Sequence, residues 1–168
     1  MKKLLAGFAL LASVVPTSFT FAAAPATVSV ETRVATCTER VEHIPTFLAD
    51  MDARHEKNSV KIQKGIDRLT AFIAKAESAG SDTAALETNL ATLISYQADI
   101  EIDRNVLIAH LTSLESFACS ADTLDAWATA RATTKANFDA LKDDVADVIA
   151  LRAEIKANVR IVIDSMSK

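Results

Sequence analysis

The stretch Leu86–Ala118, LETNLATLISYQADIEIDRNVLIAHLTSLESFA, decides how this chain folds. Within it Leu86, Leu90, Leu93, Gln97, Ile100, Arg104, Leu107, Leu111, Leu114 and Ala118 follow one another in alternating steps of four and three. That is the heptad seam of one long helix, roughly 50 Å at 1.5 Å per residue. A stripe this narrow is stable only against partner helices, and the segments on either side supply two.

Upstream, Val41, Ile44, Leu48, Met51, His55, Asn58, Ile62, Ile66, Leu69, Ile73 and Ala76 repeat with the same period, and Phe47 and Phe72 widen the stripe. Pro45 disfavours helical geometry at Ile44, so the first helix is predicted over 45–79 with the proline in its first turn. Gly80 suits the position just past that helix, and Asp82 or Thr83 suits the next N-cap. The central helix then spans 83–118. After the connection Ser120-Ala121-Asp122-Thr123, a third helix is predicted over 122–166. Its seam runs through Leu124, Trp127, Arg131, Thr134, Phe138, Leu141, Val145, Val148, Arg152, Ile155, Val159, Val162 and Met166. The β-branched run Thr27–Thr36 has no second strand to pair with, which makes 23–44 an extended lead-in. Short connections place neighbouring helices antiparallel. The predicted fold is all-α, an elongated up-down-up antiparallel three-helix bundle over 45–168.

Folding the seams about the two turns sets Leu69 opposite Leu93, Met51 opposite Leu111 and Leu93 opposite Val148. Asn58 then meets Arg104, with His55 one turn away and Thr134 nearby, so His55, Asn58, Arg104 and Thr134 form a candidate polar core layer. Polar residues in such seams fix register and partner choice at some cost in stability, and that role is preferred here to a ligand site. In the same register Cys119 falls opposite His43, so the chain before Pro45 has to bend back if Cys37 is to reach it. Val159 falls level with Gly80, which leaves Val162 and Met166 projecting beyond the first turn, with Ile161 and Ile163 beside them. Ile161, Val162, Ile163 and Met166 are therefore a candidate docking tip for a partner helix or another copy. The competing reading is a frayed helix end.

Lys2 and Lys3 precede an apolar run, Leu4–Val15, that is broken by Pro16 and followed by small residues around Ala22, Ala24 and Ala26. This is the pattern of a signal peptide over residues 1–22, with cleavage between 22 and 26; an uncleaved anchor is the alternative. Nothing later in the sequence has the length and apolarity of a transmembrane span. Export puts Cys37 and Cys119 in an oxidising compartment, where two cysteines most simply form one disulfide. Lipidation of Cys37 is the competing fate, but Thr36 is a poor residue at the position preceding a lipidated cysteine. The chain carries 18 basic and 22 acidic residues, a formal charge of −4, and removal of the leader takes two lysines and no acid. Such a balance argues against nucleic acid and anionic membrane as partners.

Chemistry-bearing patterns are sparse. His43, His55 and His110 lack the spacing of a helical metal site, and the acids at 99, 101, 103, 143, 144 and 147 lack a calcium loop's glycine turn. There is no nucleophile elbow and no phosphate-binding glycine loop. Neither a catalytic residue nor a cofactor is expected.

The order Arg54-His55-Glu56-Lys57-Asn58, Phe72-Ile73-Ala74-Lys75-Ala76, Asp82-Thr83-Ala84-Ala85-Leu86, Leu90-Ala91-Thr92-Leu93 and a cysteine closing the second helix resembles small exported helical proteins of candidate phyla radiation bacteria. The resemblance covers roughly residues 54–119. It implies export and helical architecture, and carries no activity, cofactor or catalytic residue with it. The expected function is a non-enzymatic structural or protein-interaction module of the cell envelope, periplasm or extracellular space, with a protein partner or self-association. The alternative is a periplasmic chaperone shielding apolar clients, which needs an exposed apolar cradle.

Overall fold

A computed structural model of the protein describes residues 28–167, so the leader and cleavage site expected from the sequence lie outside the described residues. Three helices follow: α1 (Val30–Ser78), α2 (Ala84–Leu114) and α3 (Leu124–Ser165), with a short 3-10 turn at Ala121–Thr123. The chain is an all-α three-helix bundle, and no strand occurs among the described residues.

Helix α1 begins at Val30, far earlier than the proline suggested, which corrects the helix start at 45 and, over 30–44, the extended lead-in expected for 23–44; residues 23–27 lie outside the described residues. Ser29 caps it: the Thr32 backbone N–H donates to Ser29 Oγ (3.3 Å), and the Arg33 N–H donates to the Ser29 carbonyl (3.1 Å). Glu31 lies in the first turn, where a carboxylate meets the positive end of the helix dipole. A bond from its own backbone N–H, then one from the Ser29 hydroxyl, hold the Glu31 carboxyl below its ordinary range. The threonines that mimic a strand bond back into the helix instead, Thr36 Oγ1 to the Thr32 carbonyl (2.9 Å) and Thr38 Oγ1 to the Val34 carbonyl (3.2 Å). Val34 and Cys37 extend the apolar seam backwards from Val41 and Ile44. The helix runs through exposed Pro45, where one intrahelical bond is lost, because Ile44 beside it is buried in the core.

Gly80 closes α1 as expected, with φ of 76°. The Ser81 N–H donates to the Ala76 carbonyl (3.0 Å) and the Gly80 N–H to the Glu77 carbonyl (2.8 Å). This is the six-to-one and five-to-two pairing of a Schellman cap, which requires the left-handed residue that glycine supplies. Thr83, buried, then caps α2, its carbonyl accepting from the Leu86 (2.8 Å) and Glu87 (3.0 Å) N–H groups. At its other end α2 stops at Leu114 and not at 118, tightened by i→i+3 bonds from Glu115 to Thr112 (3.2 Å) and from Phe117 to Leu114 (3.0 Å). Before α3, the Ser120 N–H donates to Thr123 Oγ1 (2.9 Å).

The described residues divide into two compact units, and all three helices contribute to each. The first-turn unit holds residues 55–101 and 143–167. Its core is built on Ile66, Leu69 and Ile73 of α1, Leu86 and Leu93 of α2, and Val148, Ile155 and Val159 of α3. The disulfide unit holds residues 28–54 and 102–142, with Ile44, Leu107, Leu111, Leu124, Trp127 and Leu141 in its core. All of these lie on the heptad seams, so the period identified the buried faces. Phe117 stacks on Trp127 with ring centroids 5.4 Å apart, closing the end of the disulfide unit.

Cys37 and Cys119 are bonded, with Cα atoms 5.8 Å apart and Cys37 fully buried. The bend expected before Pro45 is absent. Residues 115–119 have left the helix, and non-helical chain can cover more than 1.5 Å per residue, so Cys119 reaches an unbroken α1. The crosslink spans 82 residues of sequence. In the chain-entropy treatment a loop of that size stabilises by about 4–5 kcal/mol. Reduction of the native protein should therefore lower its thermal midpoint while the far-ultraviolet helical signal persists below it. Thiol titration of the unreduced protein should find no free thiol, and two titratable thiols would contradict the bond.

Candidate functional site

Of the four residues of the predicted polar layer, His55 and Asn58 belong to the first-turn unit and Arg104 and Thr134 to the disulfide unit. Asn58 and Thr134 are buried, whereas His55 and Arg104 are half-buried, and no hydrogen bond among the described residues joins any two of the four. Three of them have partners outside the four. In the disulfide unit Arg104 forms an ion pair with Asp52, and Thr134 Oγ1 donates to the Ala130 carbonyl of its own helix (2.9 Å). In the first-turn unit His55 Nε2 lies 2.8 Å from Glu101 Oε1. Arg104 therefore meets Asp52 where Asn58 was expected, six residues earlier in α1. Apolar spacing identifies the faces that pack, while the turns and loops set how far one helix slides along another.

The connected polar group of the first-turn unit lies elsewhere. Asn89 is 2% exposed, and its amide donates to Glu154 Oε1 (2.8 Å) while its carbonyl oxygen accepts from the Asn158 amide (2.7 Å). A buried amide with both ends satisfied positions α3 against α2. None of the three residues lies on a seam, so the heptad pattern passes over them. The signal available was Asn89 and Asn158 each standing next to a seam leucine or valine.

Above this group a cleft of about 350 Å³ opens between the Ala79–Asp82 turn, the start of α2 and the end of α3. Leu86 and Val162 form its apolar wall, with Ser81, Asp82, Asn158 and Ser165 as its polar groups. Each of those groups has a partner: Ser165 Oγ donates to the Val162 carbonyl (2.7 Å) and lies 3.3 Å from Ser81 Oγ, the Ala84 N–H donates to Asp82 Oδ1 (3.1 Å), and the Asn158 amide donates to Asn89. Chemically this is a contact surface that ties the last turn of α3 to the first connection. It also corrects the docking tip. Val162 is buried against the turn and does not project, Ile163 and Met166 are half-buried, and Ile161 alone of the four is strongly exposed, at 66%. The end of α3 lies against this turn, with Ser165 beside Ser81.

In the disulfide unit the Arg131 guanidinium is held below its ordinary range by burial and then by the nearby charge of Arg40. His110 Nε2 lies 3.0 Å from the Ala130 carbonyl. No group of three or more His, Cys, Asp or Glu side chains that could hold a metal ion occurs among the described residues. No described helix is long and apolar enough to cross a membrane. No protein-family model, curated protein or solved structure matches this chain.

The two kinds of polar residue should respond differently to truncation. Asn89→Ala leaves Asn158 without its acceptor and Glu154 without its donor, and should cost about 1–3 kcal/mol in urea unfolding. Arg104→Met removes a pair with a largely exposed Asp52 and should change stability by less than about 1 kcal/mol. Equal losses at the two positions would show that Asn89 carries no special constraint.

Proposed function

We propose that this protein is an exported, non-enzymatic structural or interaction module of the cell envelope or extracellular space, acting through the outer faces of its helices. The observation that carries this reading is the Cys37–Cys119 bond, which fastens the start of α1 to the connection after α2. Such a crosslink persists in oxidising compartments and is disfavoured in a reducing cytosol. The lysine-led apolar run at the N terminus supports the same compartment. The polar side chains of the first-turn cleft are engaged in fastening helices, which leaves the outward helix surfaces to meet other molecules.

Expression with the native leader, followed by fractionation and mass spectrometry, tests this directly. The mature protein should lack its first 22 to 26 residues, carry an oxidised disulfide, and crosslink in cells to a small set of envelope proteins. Retention in the cytoplasm with both thiols reduced would overturn the proposal. Suppression of the aggregation of an unfolded client, with no discrete crosslinked partner, would favour the chaperone reading instead.

A further inference from the structure

Between Lys57 and Lys75 helix α1 carries five of the chain's 18 basic residues: Lys57, Lys61, Lys64, Arg68 and Lys75. With Ala71 they follow one another in alternating steps of four and three, so they share one face of the helix, and all six are exposed. The strip runs for roughly 27 Å at 1.5 Å per residue. It lies wholly within the first-turn unit. The one acid between 57 and 75 is Asp67, beside the strip, and it accepts from the Gln63 amide (2.9 Å). Lys61 is already partnered, whereas Lys57, Lys64, Arg68 and Lys75 have no hydrogen-bond or ion-pair partner among the described residues.

Single exposed lysines are ordinary on a protein surface. A solvated helix face, however, mixes its signs, as α3 does where Lys135 pairs with Asp139 four residues on. On α1 like charges stand four apart at 57 and 61 and again at 64 and 68, an arrangement that works against the helix that carries it. The chain has more acids than bases, yet none pairs with these four cations. A local rule broken without a compensating contact inside the fold marks a surface whose counterpart is another molecule.

Net charge narrows the counterpart. The whole chain is formally −4, so an extended anionic surface that faces much of the molecule is repelled by the rest of it. A partner no wider than the strip meets the cations alone. A second copy matches poorly, because Glu154 on α3 is held by Asn89, which leaves Asp143 and Asp147 as the acids of that series. We propose that this face of α1 is a docking surface for an acidic helix of a partner protein. The carboxylates of that helix repeat in the same alternating steps of four and three and meet Lys57, Lys64, Arg68 and Lys75 in turn. Val60, 49% exposed and placed between Lys57 and Lys64, adds an apolar contact beside them. This rests on the interaction-module reading and names the surface and the chemistry of the partner.

The test uses the full disulfide-bonded mature chain and two synthetic helical peptides of identical composition. One carries glutamates in alternating steps of four and three, and the other has them dispersed around the helix. The striped peptide should bind with one-to-one stoichiometry and weaken as salt is raised, and the dispersed peptide should bind at least tenfold more weakly. Lys64→Gln combined with Arg68→Gln should weaken striped-peptide binding at least tenfold, with the thermal midpoint unchanged or raised because like-charged neighbours are relieved. Lys156→Gln, at an exposed position on α3 in the same unit, should leave binding as it is. If the double variant is less stable, a photoreactive striped peptide serves instead, and should label residues 57–75 of the unmodified chain. Equal binding of both peptides, unchanged affinity in the double variant or labelling elsewhere would each overturn the docking surface. So would displacement of the striped peptide by phosphatidylglycerol vesicles, or a dimer in sedimentation that the double variant dissociates. Envelope crosslinks that survive the double variant would reject this surface while leaving the module reading intact. Cytoplasmic retention would reject that reading whatever the peptides do.

Discussion

The central helix cannot exist alone. Between Leu86 and Leu114 the narrow stripe of α2 is apolar except at Gln97 and Arg104, and Leu86, Leu107 and Leu111 are removed from solvent almost completely. Burying one such leucine contributes about 1.5–3 kcal/mol relative to leaving it in water, and α2 obtains this only with α1 and α3 against it. The flanking helices depend on α2 in turn, because their own stripes are equally narrow. Secondary structure in this chain is therefore a consequence of packing more than of intrinsic propensity. The β-branched start of α1 shows this, since Val30 to Thr36 would favour extended backbone on propensity alone.

That start is held by two local devices and one distant one. Ser29 satisfies N–H groups that the helix end would otherwise leave unpaired, and Glu31 complements the dipole. Cys37, one turn further in, is anchored by a bond to Cys119. The crosslink works because α2 ends early. Non-helical residues after Leu114 can advance further per residue than a helix does, so Cys119 arrives beside an α1 that stays helical through Cys37.

What was legible in the amino-acid sequence was what repeats. The three seams, the glycine cap at Gly80 and the pairing of the two cysteines follow from spacing and from the chemistry of single residues. The start of α1 was hidden because Pro45 is a strong local signal, and its effect on one hydrogen bond was outweighed by the packing of Ile44 and by the Ser29 cap upstream. The partners of the polar seam residues were hidden because a heptad specifies a face and not a height. Arg104 found Asp52, His55 found Glu101, and Thr134 bonded within its own helix. Asn89 escaped notice for a different reason. It stands beside the stripe, so burial there depends on how closely α3 approaches, which no single helix encodes.

The same degeneracy gives the polar pairs a purpose. Three heptad seams sliding past one another by seven residues would still meet apolar against apolar, at little cost per contact. Specific polar partners do not survive such a shift. A one-heptad slip in the first-turn unit takes Asn89 away from Glu154 and Asn158 and leaves a buried amide unsatisfied, at a cost of about 1–3 kcal/mol. In the disulfide unit the bond between Cys37 and Cys119 excludes a slip covalently, with Asp52 and Arg104 agreeing with it. Each unit thus holds its own determinant of axial position, polar in one and covalent in the other, and the apolar seams supply the stability that both depend on.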